Sequence, residues 1–153
     1  MKAAVEPVSQ PVTPARQRSK PLLPVRGVCS LVDKNAEQVL QLLEEGALSW
    51  AWDVSLARKR REIRVLPAAV ADYLKGHTCE LKWADVLDLM VPDAPTVPAS
   101  DITRMLNVSS DHTYHLIDRK QIVACPTRRR GPGGSARVPA KNLIQFLEQR
   151  RFP

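Results

Sequence analysis

ITRMLNVSSDHTYHLIDRKQIVACP occupies residues 102–126, and ARVPAKNLIQFLEQ follows at residues 136–149. Apolar residues recur at helical spacing in two short runs, and then the period shortens. SDITRMLNV predicts a short helix with Ser100 as its N-cap, because a serine hydroxyl can take up a free backbone N–H of the first turn. SSDHTYHLIDRK predicts a second helix, again opened by a capping serine. QIVACP and ARVP predict two strands joined by the turn TRRRGPGGSA, and PAKNLIQFLEQRRF predicts a closing helix.

The same order occurs earlier in the chain. LLEEGAL, residues 42–48, lies on LIDRKQI, residues 116–122, and EIRVLPAAVADYL, residues 62–74, lies on SARVPAKNLIQFL, residues 135–147. Arg64 then falls on Arg137, Val65 on Val138, Val70 on Leu143, Tyr73 on Phe146 and Leu74 on Leu147. The spacing between the matched blocks differs by one residue, and the difference falls in the hairpin, where an insertion is tolerated. Ahead of this block AEQVLQLLEEG predicts a helix with Val39, Leu40, Leu42 and Leu43 on one face and Gly46 as its stop. ALSWAWDV and IRVLP read as strands around the polar turn LARKRRE, and PAAVADYLKG as a short helix with Pro67 in its first turn and Gly76 at its end. An internal repeat follows from order and pattern more than from identity.

Between the repeats, LKWADVLDLM has helical spacing at Trp83, Val86, Leu87 and Met90, and PDAPTVPAS reads as a linker by its prolines. The expected organisation is a disordered, basic, proline-rich arm at residues 1–26, a first module at 27–76, a helical connector and linker at 77–98, and a second module at 99–153. Net charge is uneven. It is +4 over residues 1–26, zero over 27–75, −3 over 76–100 and +6 over 101–153, so a polyanionic partner should meet the last third. Cys29, Cys79 and Cys125 lie far apart with no CxxC pair, which argues for a reducing compartment and against a disulfide framework. No apolar run approaches the ~18 residues of a membrane helix. No P-loop, GxSxG, HExxH or dinucleotide glycine motif occurs, so neither an enzyme nor a cofactor is expected.

Leu106, Val108 and Ser109, then Thr113–Tyr114–His115, then Leu116, Ile117 and Ile122, then Arg137–Val138, and finally Phe146–Leu147 follow one pattern. It resembles the excisionase/MerR-type winged-helix DNA-binding domain. The resemblance covers residues 99–150 well and residues 27–75 more weakly. It departs from the family at His115, where an arginine is usual, and at Lys120–Gln121, which replace the turn glycine. In the first repeat Asp33–Lys34–Asn35–Ala36–Glu37 stand where the second helix should begin, and its helix face is acidic with Glu37, Glu44 and Glu45. The resemblance implies an α+β fold of two small winged helix-turn-helix domains in tandem, and a cytoplasmic, nucleoid-associated protein that binds double-stranded DNA.

On that expectation the first turns of the second repeat's recognition helix, Ser109, Ser110, Asp111, His112, Tyr114 and His115, face base edges in the major groove. Arg119 and Lys120 end the helix, where they either oppose its dipole or meet phosphate. Arg128, Arg129, Arg130 and Arg137 belong to the wing, suited to phosphate or to a narrow minor groove. Arg58, Lys59, Arg60 and Arg61 form the first repeat's basic wing, expected to touch only backbone. The implied roles are transcriptional regulator or excisionase-like architectural factor. The alternative is an adaptor, of the phage or plasmid accessory kind, that dimerises or binds a protein through residues 27–76 and touches DNA secondarily. Trp50 and Trp52 alternate along one strand and belong to a core or an interface on this reading, not to a base-stacking platform.

Overall fold

A computed structural model describes residues 20–57, 60–126 and 136–152. Among these residues the chain is α+β, with seven helices and short strands in two small sheets. Strand β1 (Leu23–Pro24) runs into α1 (Val25–Val32), and α2 (Ala36–Glu45) follows after a tight turn. The turn works because Asp33 adopts the left-handed conformation (φ 56°) and lets the Lys34 N–H reach back to the Cys29 carbonyl at 3.2 Å. Asn35 then caps α2. Its side chain accepts from the Gln38 N–H, while the Gln38 side chain accepts from the Asn35 N–H, both at 2.9 Å. Val39 and Leu43 are buried on the inner face of α2, and Gly46 ends it at φ 83°.

β2 (Ala51–Asp53) and β3 (Ile63–Val65) form the first hairpin, with Ala51 opposite Val65. The sheet is wider than a hairpin. Its order is β1-β3-β2-β6, where β6 (Arg151–Phe152) comes from the far end of the chain and lies antiparallel to β2. Helix α3 (Pro67–Leu74) starts at its proline as expected, and α4 (Trp83–Met90) forms the connector. β4 (Thr96–Pro98) leads into α5 (Ala99–Leu106), then α6 (Ser110–Asp118), β5 (Arg137–Pro139) and α7 (Ala140–Gln149).

The repeat is physical as well as textual. Leu23 pairs with Val65 and Pro24 with Arg64, while at matching positions Val97 pairs with Val138 and Pro98 with Arg137. Asn107 takes the left-handed conformation of Asp33 (φ 56°), and the Val108 N–H reaches the Thr103 carbonyl at 3.2 Å as Lys34 reaches Cys29. Lys120 stands at φ 58° where the first half has Gly46, so the missing turn glycine is replaced by a strained lysine, at a cost of about 1 kcal/mol.

Several expectations at element ends are corrected. Residues 20–26 are not part of an arm. Leu22 is buried, and β1 and the start of α1 fall there. Pro21 and Pro24 break the apolar pattern, yet Pro24 needs no N–H at the edge of a sheet. The first 19 residues of the expected arm lie outside the described residues. Ser100 is not an N-cap. The cap is Pro98, two residues earlier, and α5 begins at Ala99, whose N–H is held by the Ala136 carbonyl at 2.8 Å. QIVACP is not a strand; one bond, from the Cys125 N–H to the Arg137 carbonyl at 2.8 Å, joins it to β5. Instead β5 pairs with β4, inside the stretch read as a linker, where Val97 and Val138 are both buried. The closing helix stops at Gln149, and the last two described residues turn back as β6.

Two clusters make up the interior. One lies within the first half around Val28, Val39, Leu43, Ile63, Val65 and Val70. The larger one spans both halves. Leu22, Trp50, Trp52, Val54 and Leu66 meet Val86 and Met90 of α4 and Ile102, Met105, Leu106, Leu116 and Leu147 of the second half. The halves therefore share one core. Equivalent positions have unequal fates. Leu147 is fully buried while its counterpart Leu74 is 52 % exposed, and Met105 is buried while its counterpart Leu31 is 52 % exposed. Leu147→Ala should accordingly cost about 2–5 kcal/mol, and Leu74→Ala no more than about 0.5 kcal/mol, in denaturant unfolding followed by circular dichroism.

Candidate nucleic-acid interface

Helix α6 is defined by what surrounds it. Its N-cap, Ser109, sits in extended backbone (φ −74°, ψ 160°) and its hydroxyl accepts from the His112 N–H at 3.1 Å. His112, Thr113 and Leu116 recur at helical spacing and are buried. Ser110, Asp111, Tyr114 and His115 are left exposed on the opposite side, with Asp118 further along. Asp111 lies in the first turn, where a negative charge opposes the positive end of the helix dipole.

His112 is the clear correction to the expected base-reading set. Its Nε2–H donates to the carbonyl of Val54 at 2.6 Å, and its Nδ1 lies 3.9 Å from the Glu62 carboxylate. From the sequence the whole first turn is expected to face outward. Spacing of one and four residues from Thr113 and Leu116 turns this imidazole inward, against the first half. Ser109 is exposed, but its hydroxyl serves the cap. Ser110, Asp111, Tyr114 and His115 remain as a continuous polar face.

Each side of α6 meets a different half. On one side the first hairpin runs past it. Besides the His112 bond, the Arg119 guanidinium donates to the Leu56 carbonyl at 3.2 Å. Arg150, half-buried after α7, donates to the carbonyls of Asp53 and Ser55 at 3.3 and 3.0 Å, and also to Gln121. On the other side the Tyr114 hydroxyl accepts from the Ala136 N–H at 3.4 Å, where the second loop returns to β5. Arg137 is exposed at the base of that loop, and its Nε–H donates to the Thr96 hydroxyl at 2.9 Å. Arg60, Arg61, Arg119 and Lys120 are exposed, whereas Arg58, Lys59, Arg128, Arg129 and Arg130 lie outside the described residues.

A third arginine also joins the halves. Arg64 donates from Nε to the Leu106 and Asn107 carbonyls at 3.1 and 3.2 Å, and from Nη2 to the Asn107 carbonyl at 3.1 Å. Burial pushes its guanidinium below the ordinary arginine value, and Glu62, at 3.6 Å, acts in the opposite direction. Asn107 completes the joint by donating to the Leu22 carbonyl at 3.0 Å. The repeat alignment offered a signal: Arg64 matches Arg137, and two arginines at one hairpin position suggest a shared structural job. Arg150 and Arg151 carried no such signal, because they read as the tail of a helix.

Trp50 and Trp52 are buried and stacked on each other, and Trp83 stacks on Trp50, so these rings belong to the core. Among the described residues no group of three or more His, Cys, Asp or Glu is placed to hold a metal, and no helix is long and apolar enough to cross a membrane. The chain matches no protein-family model, and comparison with curated proteins and with solved structures likewise gives no match.

His112→Ala leaves the buried Val54 carbonyl without its donor and should cost about 1–3 kcal/mol. Ser109→Ala should cost about 1 kcal/mol by loss of the cap, and Ser110→Ala less than about 0.5 kcal/mol. Unfolding midpoints for the three variants rank these roles.

Proposed function

We propose that this chain is a sequence-specific, double-stranded-DNA-binding protein that lays α6 in the major groove. Both halves are read as winged helix-turn-helix units of the excisionase/MerR type, the first degenerate. The observation that carries the proposal is the setting of α6: a polar outer face whose flanks are bonded to the first hairpin through Arg119 and to Ala136, beside the exposed Arg137, through Tyr114. A helix in the major groove presents side chains to base edges, and flanking basic loops meet the phosphates on either side. Tyr114 and His115 can donate to or accept from base edges, and Asp111 can accept from cytosine N4. The net charge of +6 over residues 101–153 favours the same partner. Helix α2 occupies the equivalent place in the first half but exposes Glu37, Glu44 and Glu45, which repel phosphate. The first half is thus assigned a supporting role. Regulation of transcription and excisionase-like shaping of DNA both fit, within a nucleoid-associated setting.

A second reading has its own support. Leu31 and Leu74 are half-exposed in the first half although their counterparts are buried, and each offers an apolar contact point to a protein partner or a second copy through residues 27–76. Light scattering after size exclusion tests it: a strict monomer that still binds DNA tightly counts against the adaptor.

Selection from a random duplex pool at physiological salt should enrich one motif. Tyr114→Ala or His115→Ala should change which sequences are enriched; equal loss on every sequence would remove base reading from α6. Replacing Arg128, Arg129 and Arg130 with Ala should weaken binding to all duplexes and flatten its salt dependence, and unchanged affinity would remove the loop from the interface.

A further inference from the structure

We infer that the basic run Arg16, Arg18 and Lys20 grips duplex phosphates beside the N-terminal end of α6. This rests on the DNA-binding reading above and deepens it with a contact from a distant part of the chain. The fold delivers that run to α6. Leu22 is buried, and its N–H donates to the Met105 carbonyl at 2.9 Å. Its own carbonyl accepts from the Asn107 side chain at 3.0 Å. Met105 and Asn107 belong to the end of α5 and the turn after it, and Ser109, the cap of α6, follows two residues on. The segment that enters the first half is therefore moored to the second, next to the turn from which the reading helix starts.

Chain length alone then bounds where the cations can be. Residues 1–19 lie outside the described residues, and Lys20 is exposed. An extended chain advances no more than about 3.6 Å per residue. The backbone of Lys20 therefore lies within about 7 Å of Leu22, that of Arg18 within about 14 Å and that of Arg16 within about 22 Å. The major groove of B-DNA is about 12 Å wide, so with the first turn of α6 on base edges, the phosphates lining the groove at that end fall within the same span. No particular path is needed. A tether this short keeps three cations at high local concentration around those phosphates.

The charge of the run is unopposed along the chain. ARQRSK, residues 15–20, holds all three cations, and no acid stands between Glu6 and Asp33. The repeat sharpens this by contrast. β4 is the counterpart of β1, and the segment leading into it carries Glu80, Asp85, Asp88 and Asp93 against Lys82 alone. Two equivalent entries thus differ in sign, and the basic one arrives at the helix with the polar outer face. Asp111 is exposed in the first turn of that helix and is the rival for these cations when DNA is absent. Phosphate contact carries no base information, so the run adds affinity and leaves the motif to α6.

The test uses the full chain on a duplex carrying the enriched motif, across a series of salt concentrations, with hydroxyl-radical footprints of the same complexes. In the variant Arg16→Ala/Arg18→Ala/Lys20→Ala, the slope of log affinity against log salt should flatten by roughly 2–3, about 0.9 for each phosphate that is no longer neutralised. Backbone protection should be lost at one end of the footprint only, while the enriched motif and the unfolding midpoint stay the same. Arg16→Lys/Arg18→Lys should keep both the slope and the full footprint. An unaltered slope and footprint in the alanine variant reject this contact and leave α6 as a reader. Tighter binding by the alanine variant also overturns the inference, because the cations would then be pairing with Asp111 and holding DNA off. A slope lost equally in the lysine variant overturns it too, since charge would not be the cause. Wild-type protein that ignores duplexes, or prefers single strands, rejects the DNA reading itself.

Discussion

A half-buried guanidinium fixes how everything else is placed. Arg64 comes from the first hairpin and spends its donors on the carbonyls that end α5 in the second half. Those carbonyls sit where a helix dipole is negative, so the charge suits its place, and the planar fork can serve two of them at once. With this joint made, the Leu22 strand entry, the tryptophan cluster and the hydrophobic sides of α5, α6 and α7 share one interior. The first hairpin then has no choice but to run alongside α6.

Duplication followed by divergence of roles is a natural description of such an arrangement. The two halves keep the same strand registers and the same left-handed turn between their helices. They differ in what each outer helix offers. α2 exposes glutamates, while α6 exposes a hydroxyl, an imidazole, a phenol and the carboxylates of Asp111 and Asp118. The two outer helices also have different surroundings, since α6 is bonded to the first hairpin through His112 and Arg119.

The helices and the repeat were legible in the sequence because both depend on local spacing. Val39 and Leu43, or Leu143, Phe146 and Leu147, announce a buried face within a few residues of one another. The strands were legible only where apolar alternation was strong, as at β2 and β3. β1, β4 and β6 are two or three residues long and contain or adjoin proline, so their pairing depends on partners far away in the chain. The candidate site divides along the same line. The outward placement of Tyr114 and His115 follows from the helix period. The inward turn of His112 follows from its spacing to Thr113 and Leu116, but its carbonyl partner Val54 is visible only in the fold, and the placing of Arg151 opposite Trp52 depends on β6.

That last strand has a consequence for the order in which the molecule can be made. The first half carries β1, β2 and β3 within its own sequence, but the far edge of β2 is closed by residues 151 and 152. During synthesis the first half must wait, with β2 and the Trp50 side uncovered, while about a hundred further residues leave the ribosome, several seconds at ordinary translation rates. Contacts of such long separation in sequence also slow folding in solution. An open strand edge beside a large indole is where a chaperone would engage the growing chain, and where two half-made chains would stick together.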